Sequence, residues 1–132
     1  MDTSAPSLIL IVDDETKIRR IVASNLERAG YDVISAADGM HALEIFELQS
    51  PKPALVLMDV MMPELDGLSA TRAIRGMDRP DAQLPIIAMT ANLFDEDVAA
   101  CLAAGMDAHI PKPLEAGQMI RTIAEWLERK KQ

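Results

Sequence analysis

The sequence has almost no cysteine. Its single cysteine, Cys101, cannot form an internal disulfide and provides no ligand spacing for a zinc site. A lone thiol of this kind usually behaves as a small apolar side chain, so we expect Cys101 to be buried. The chain is therefore compatible with a reducing compartment, and we expect a cytoplasmic protein.

Positive charge and long apolar runs are also scarce. The 13 basic residues are outnumbered by 21 acidic ones, which gives a formal net charge of -8. This is the wrong sign for binding nucleic acid or anionic lipid. No apolar run approaches the roughly 18 residues that a membrane span requires, and Met1 to Ser7 lack the features of a secretory signal. We expect this domain to contact neither nucleic acid nor membrane.

The six glycines form neither a Gly-x-Gly pair nor a Gly-Lys-Ser/Thr motif. A nucleotide-binding loop is therefore disfavoured.

Apolar residues are abundant, and their pattern predicts the fold. The 132 residues, 49% of them hydrophobic, match one domain (1–132) with a core of about residues 7–128. Three of the five short apolar runs are continuous, which is typical of parallel strands covered on both faces. The predicted strands are Leu8–Val12, Val33–Ile34, Ala54–Met58, Ile86–Met89 and Ala108–Ile110.

Segments of helical period follow these strands. The first ends near Gly30, the second opens at Asp38-Gly39, the third covers about Gly67 to Met77, the fourth about Phe94 to Ala104, and the last carries Met119, Ile120, Ile123 and Leu127. Parallel strands need such crossover helices. We predict an α/β doubly wound sheet of five parallel strands with five helices.

In such a sheet, ligands bind beyond the carboxyl ends of the strands. Asp13 and Asp14 follow the first predicted strand, and Asp59, Thr90 and Lys112 follow the third, fourth and fifth. Carboxylates crowded in this way need a bound cation, and oxygen ligands without histidine or cysteine favour Mg²⁺. Taken singly, these residues also have ordinary explanations: the aspartates as helix caps or turn residues, and the lysine as a solvated charge. Their common placement favours a site.

The residues at this edge resemble the receiver domains of two-component response regulators. The resemblance runs from Leu8 to about Leu127 and implies a flavodoxin-like receiver fold. Its motifs are Ile11-Val12-Asp13-Asp14-Glu15, Leu57 to Gly67, Ile86 to Asn92, and Ala104-Gly105-Met106-Asp107 running into Lys112-Pro113. The second half looks more like receivers of hybrid histidine kinases than like receivers fused to DNA-binding domains.

The resemblance implies a phosphorelay function. Asp59 would accept a phosphoryl group from a phosphohistidine, and Lys112 and Thr90 would contact its oxygens. Mg²⁺ would be held by Asp13, Asp14, Asp59 and the backbone carbonyl of Met61. A receiver of this kind would promote its own phosphorylation and dephosphorylation.

The resemblance also implies a conformational switch and partners. Thr90 and the side chain three residues before the lysine, here His109, would move on phosphorylation, and the Lys112–Pro113 bond would be cis. The expected partners are a histidine kinase core or a histidine phosphotransfer domain, and the expected state is a monomer or a weak homodimer.

Other functions remain open at this stage. The chain would be a stand-alone response regulator if it is not the receiver of a hybrid kinase polypeptide. An aspartate-nucleophile phosphatase also uses Mg²⁺ and a strand-end aspartate, but it needs an acid two residues after the nucleophile. Met61 stands there instead. A receiver-like interaction module without phosphorylation is the third alternative.

Overall fold

The computed structural model describes residues 6–48, 52–60, 62, 65–90, 95–112 and 114–130. Strands and helices alternate along the chain and are numbered in chain order. They are β1 (Leu8–Val12), α1 (Thr16–Arg28), β2 (Asp32–Ala36), α2 (Gly39–Leu48), β3 (Leu55–Asp59), α3 (Gly67–Arg75), β4 (Ile86–Thr90), α4 (Asp95–Ala104), β5 (Ala108–Pro111) and α5 (Ala116–Lys130). A short 3₁₀-helix, Pro80–Gln83, precedes β4. None of the helices within these ranges is long and apolar enough to cross a membrane.

The five strands form one parallel sheet in the order β2-β1-β3-β4-β5. The predicted doubly wound α/β fold is confirmed. The sheet's central strands β1, β3 and β4 are almost completely buried, as their continuous apolar runs require. Their carboxyl ends meet at one edge, which we call the carboxyl edge.

Successive strand residues pack into two different cores. One lies against α2, α3 and α4 and includes the buried Cys101, as predicted; the other lies against α1 and α5. The alternation follows from the pleat, which points neighbouring side chains to opposite faces of the sheet.

Strands β3, β4 and β5 differ from the sequence prediction by no more than one residue at either end, but β2 and α3 differ by more. Strand β2 is longer than the predicted Val33–Ile34, because all five of its residues pair with β1. Asp32 and Ser35 can belong to the strand although they are polar, since β2 lies at the edge of the sheet and exposes them to solvent. Helix α3 stops at Arg75, two residues before the predicted Met77. The amide of Met77 bonds to the carbonyl of Ile74, so the chain tightens into a turn there.

Arg75 ties together the opposite edge of the sheet, where β4 and β5 begin. Its Nη2 donates to Asp107 Oδ2 at 2.8 Å, and the same oxygen accepts the amide of Ile86 at 2.9 Å. The other guanidinium donors bond to the carbonyl oxygens of Ala82 and Leu84 (2.7 Å each) and of Gly105 (2.9 Å). We call this arrangement the Arg75 network.

Candidate functional site

Three aspartates converge at the carboxyl edge. Asp13 directly follows β1, and Asp59 is the last residue of the neighbouring strand β3. Asp13, Asp14 and Asp59 each offer a carboxylate oxygen, and these oxygens all lie within 4.8 Å of one another. Asp13 and Asp59 are buried, and Asp14 is exposed. We call these three residues the acidic cluster.

Lys112, which follows β5, supplies a cation to the acidic cluster. Its Nζ lies 3.0 Å from Asp13 Oδ2 and 3.3 Å from Asp59 Oδ1. Burial lowers the pKa of Lys112, but the close contact with the negative charges of Asp13 and Asp59 outweighs this effect and raises the pKa above its usual range. Lys112 is therefore a fixed positive charge at neutral pH.

One ammonium does not balance three carboxylates. At such separations two carboxylates repel by about 3 to 4 kcal/mol at an effective dielectric of about 20. A divalent cation would relieve this repulsion, and a set of carboxylate oxygens without histidine or cysteine is the donor set that Mg²⁺ prefers.

The surroundings of Asp13 also fit a bound cation. Asp13 Oδ1 accepts the amide of Glu15 at 2.9 Å. The buried Oδ2 accepts no hydrogen bond of acceptable geometry from the described residues, and its contact with Lys112 is one of charge. A carboxylate oxygen that is buried, charged and without a good hydrogen bond is suited to ligate a metal ion.

Helix capping does not explain the aspartates after β1. The N-cap of α1 is Glu15, which makes no side-chain capping bond within the described part of the chain, and the capping interpretation of Asp13 and Asp14 is wrong. The two side chains are directed instead to the acidic cluster.

Thr90 and His109 lie on the neighbouring strands. Thr90 is the last residue of β4 and is buried, and its backbone carbonyl accepts the amide of Lys112 at 2.9 Å. This bond fixes the backbone of Lys112 beside β4. His109 lies on β5 with its side chain exposed to solvent.

Gly67 is a contributor that the sequence reasoning quoted within a motif but assigned no role. A Cβ atom at this position would collide with the backbone carbonyl oxygen of Asp59. The amide of Gly67 also donates to the carbonyl of Val60 at 3.0 Å. The start of α3 therefore approaches the end of β3 at a distance that only glycine permits.

Arg19 is a second contributor that sequence reasoning missed. Its Nη1 donates to the backbone carbonyl oxygen of Asp13 at 2.6 Å, although it lies six residues further along, on α1. In the sequence, Arg19 is recognisable only as a basic residue near the start of a helix that follows two aspartates. Many solvated helices have a basic residue at such a position, so the pattern does not indicate a role.

Two predicted site features lie outside the described residues. These are the backbone carbonyl of Met61 and the peptide bond between Lys112 and Pro113, since Met61 and Pro113 are not among the described positions. The structure thus brings together Asp13, Asp14, Asp59 and Lys112, while Thr90 lies at the end of the adjacent strand β4 and His109 is exposed on β5.

Comparison with known proteins gives a consistent result. The chain is 40% identical over 121 residues to "Probable transcriptional regulator ycf27" of Cyanophora paradoxa, and 38% identical over 119 residues to the CAI-1 autoinducer sensor kinase/phosphatase CqsS of Vibrio cholerae. These alignments cover 92% and 90% of this chain. The chain spans about half of the first relative (48%) and a smaller part (17%) of the second.

A solved structure with the same fold is the receiver domain of a sensor histidine kinase from Pseudomonas aeruginosa, described with a magnesium ion coordinated in its active site cleft. It is 36% identical, with a TM-score of 0.84 over 94% of this chain and 99% of that one.

The family model described as the response regulator receiver domain matches residues 9–124, which include every described residue of the acidic cluster as well as Lys112. The resemblance seen in the sequence is thereby confirmed, and the chain belongs to the response regulator receiver domains of two-component systems.

Proposed function

We propose that this domain accepts a phosphoryl group from a phosphohistidine onto Asp59. The observation that carries the proposal is the position of Asp59: buried at the end of β3, within the acidic cluster, and 3.3 Å from the Lys112 ammonium. In the proposed step a carboxylate oxygen of Asp59 attacks phosphorus in line. The P–O bond to Asp59 forms as the P–N bond to histidine breaks, and the imidazole leaves with its electron pair.

The acidic cluster would hold Mg²⁺ through Asp13, Asp14 and Asp59. When bound, the ion would neutralise negative charge on the transferring phosphoryl group. The fit rests on the oxygen donor set and on the poorly bonded Oδ2 of Asp13.

Lys112 would contact a phosphoryl oxygen with the ammonium that now lies between Asp13 and Asp59. The hydroxyl of Thr90, at the end of the adjacent strand β4, would donate a hydrogen bond to another phosphoryl oxygen. These residues contribute position and charge but no covalent chemistry, as expected for phosphoryl transfer.

Phosphorylation would add about 1.5 to 2 negative charges beside Thr90. In the proposed switch, Thr90 moves toward this charge and the side chain of His109 turns inward. The exposed position of His109 is the starting state that this movement requires.

A histidine kinase core or a histidine phosphotransfer domain is the proposed donor or acceptor. An apolar depression formed by α1 and the segment after β5 lies on the side of the sheet covered by α1 and α5, and Ile21 on its rim is 50% exposed. Its lining residues are Ile18, Ile21, Val22, Asn25 and Leu114. We propose that the partner docks here, with the receiver being part of a hybrid histidine kinase.

The test is phosphorylation by a small donor. The domain is incubated with acetyl phosphate and Mg²⁺ and weighed intact beside Asp59→Asn, a variant of nearly the same size that lacks the nucleophile. We expect one added phosphoryl group in the wild type and none in Asp59→Asn or without Mg²⁺. If a folded wild type gains nothing, or if Asp59→Asn gains as much, the proposal is wrong.

A further inference from the structure

The guanidinium of Arg19 lies behind the acidic cluster and has no part in the proposed chemistry. Its Nη1 donates to the backbone carbonyl of Asp13 at 2.6 Å, and its Nη2 donates to the hydroxyl of Thr16 at 3.1 Å. A charged donor at this distance makes a strong hydrogen bond. Arg19 thus joins the first turns of α1 to the segment that carries two of the three carboxylates.

Arg19 completes a set of bonds that holds Asp13 on three sides. The Asp13 amide bonds to the carbonyl of Ala36 at 3.2 Å, the carbonyl accepts Arg19, and Oδ1 accepts the amide of Glu15 at 2.9 Å. The one remaining polar atom, Oδ2, is directed to Lys112 at 3.0 Å. Among the described residues, Oδ2 is the Asp13 oxygen that accepts no hydrogen bond, so it is the oxygen best suited to meet a cation.

The positive charge of Arg19, taken alone, would weaken Mg²⁺ binding rather than support it. A cation close to a metal site repels a second cation, so its removal should strengthen Mg²⁺ binding if electrostatics were its only role. If Arg19 instead holds the Asp13 backbone in place, its removal should weaken binding, as is usual for residues that orient metal ligands. The two roles differ in the sign of the effect.

We infer that Arg19 is a positioning residue, which fixes the segment after β1 so that Oδ2 of Asp13 stays in the acidic cluster, where it would help to hold Mg²⁺. This inference rests on the proposed Mg²⁺ site. It assigns to α1 a role in metal binding through a backbone carbonyl, in addition to its role in covering the sheet.

Isothermal titration of MgCl₂ into the unphosphorylated domain tests this inference. The variants are Arg19→Met, which keeps the apolar stem, Arg19→Lys, and the control Arg20→Met, which removes the same charge from the exposed neighbouring residue. We expect Arg19→Met to weaken Mg²⁺ binding by about tenfold. Arg19→Lys should recover part of the loss, since an ammonium can still donate to the carbonyl, whereas Arg20→Met should bind Mg²⁺ as the wild type does or more tightly.

Unchanged or stronger Mg²⁺ binding by Arg19→Met would overturn the inference and leave the proposed function intact. A wild type that binds no Mg²⁺ would overturn both. Urea unfolding in EDTA shows whether each variant is folded. Should Arg19→Met be unfolded, Thr16→Val, which removes the second anchor of the guanidinium, should weaken Mg²⁺ binding by about twofold or more if the inference holds, and unchanged binding would refute it.

Discussion

The two edges of the sheet each place a basic side chain beside aspartate, but they satisfy these charges differently. At the edge where β4 and β5 begin, Arg75 donates to three carbonyls and to Asp107, and Asp107 also accepts a backbone amide. At the carboxyl edge, Lys112 faces Asp13 and Asp59, Asp14 lies nearby, and Asp13 Oδ2 accepts no hydrogen bond from the part of the chain that the structure describes.

The difference separates a structural ion pair from the proposed metal-binding site. In the Arg75 network the guanidinium bonds to one carboxylate and three carbonyls, so its charge and donors serve to stabilise the fold. The acidic cluster has more negative charge than Lys112 can balance, so a bound cation would stabilise it. Unbalanced charge at a buried edge therefore indicates function better than charged residues alone do.

Breaking the Arg75 network should have the largest effect on stability. Arg75→Met leaves the carboxylate of Asp107 and three carbonyls without their partner, and we expect a loss of about 3 to 5 kcal/mol in the free energy of unfolding. Because the acidic cluster lies at the other edge, Mg²⁺ affinity should not change. Urea unfolding in EDTA and calorimetric titration of Mg²⁺ measure the two quantities.

Arg121→Met is the control for Arg75→Met, since Arg121 lies in an exposed pair with Glu115 at 4.0 Å. Such an exposed pair contributes little to stability, because water and salt screen it. Equal losses in the two variants, or weaker Mg²⁺ binding by Arg75→Met, would contradict the division between the edges.

A methyl group at the carboxyl edge should disturb both folding and chemistry. In Gly67→Ala the new Cβ collides with the Asp59 carbonyl, and we expect a loss of about 1 to 3 kcal/mol in stability. Because the Asp59 carboxylate would be displaced, its phosphorylation should also be slower by about 10- to 100-fold. Urea unfolding and the time course of phosphorylation by acetyl phosphate give both values.

Gly30→Ala is the matched control for Gly67→Ala. Gly30 follows α1 with φ of 97° and has open space around a Cβ, so alanine there adds only backbone strain of about 1 to 2 kcal/mol. Its phosphorylation rate should equal that of the wild type. A similar slowing in both variants would show that lost stability, and not the position of Asp59, limits the rate.

Removing charge from the acidic cluster should raise stability while weakening binding. Asp14 is exposed, and in Asp14→Asn the repulsion from two neighbouring carboxylates disappears. We expect the metal-free domain to gain about 0.5 to 1 kcal/mol, and Mg²⁺ affinity to fall about 10- to 100-fold. Asp107→Asn should instead lose stability, because its Oδ2 accepts two hydrogen bonds. Metal-free destabilisation by Asp14→Asn would show that the cluster is already balanced.

The smallest effect concerns pH and the start of α5. The amides of Gln118 (2.6 Å) and Gly117 (3.0 Å) donate to the Glu115 carboxylate and lower its pKa. The ionised Glu115 carboxylate therefore stabilises the folded state fully above the ordinary glutamate pKa of about 4.3. This stabilisation disappears as the pH falls through the lower pKa of Glu115 in the folded state. At neutral pH the urea concentration at the midpoint of unfolding should be higher for the wild type than for Glu115→Gln. In acid the two midpoints should converge. A difference that is constant with pH would contradict this assignment.

Much of the fold could be predicted because buried parallel strands have a distinctive sequence. Continuous apolar runs identified β1, β3 and β4, and the charged residues at the carboxyl ends of β1, β3 and β5 proved to converge. Strand β2 was underestimated because the polar and exposed residues Asp32 and Ser35 flank its apolar pair. The proximity of Asp13, Asp59 and Lys112 followed from the topology alone.

The missed features depend on contacts without a periodic signal. Arg75 reaches Gly105, thirty residues further along the chain, and Arg19 bonds to a backbone carbonyl, which any residue could provide. Gly67 is required by a close approach of two backbones that becomes visible only in three dimensions. Sequence patterns therefore locate the reacting groups, whereas the residues that support them emerge from the structure.

The strand order also determines how long the basic side chain must be. Asp59 ends β3 and Lys112 follows β5, with β4 between them, so their backbones are about two strand spacings, or roughly 10 Å, apart. The four-carbon stem of Lys112 bridges that width to place Nζ 3.3 Å from Asp59. The ion pair therefore spans the width of β4. Any sliding or twisting of β5 against β3 changes the distance between Lys112 Nζ and Asp59 Oδ1. The charge at Asp59 and the position of the outer strand are thus mechanically linked.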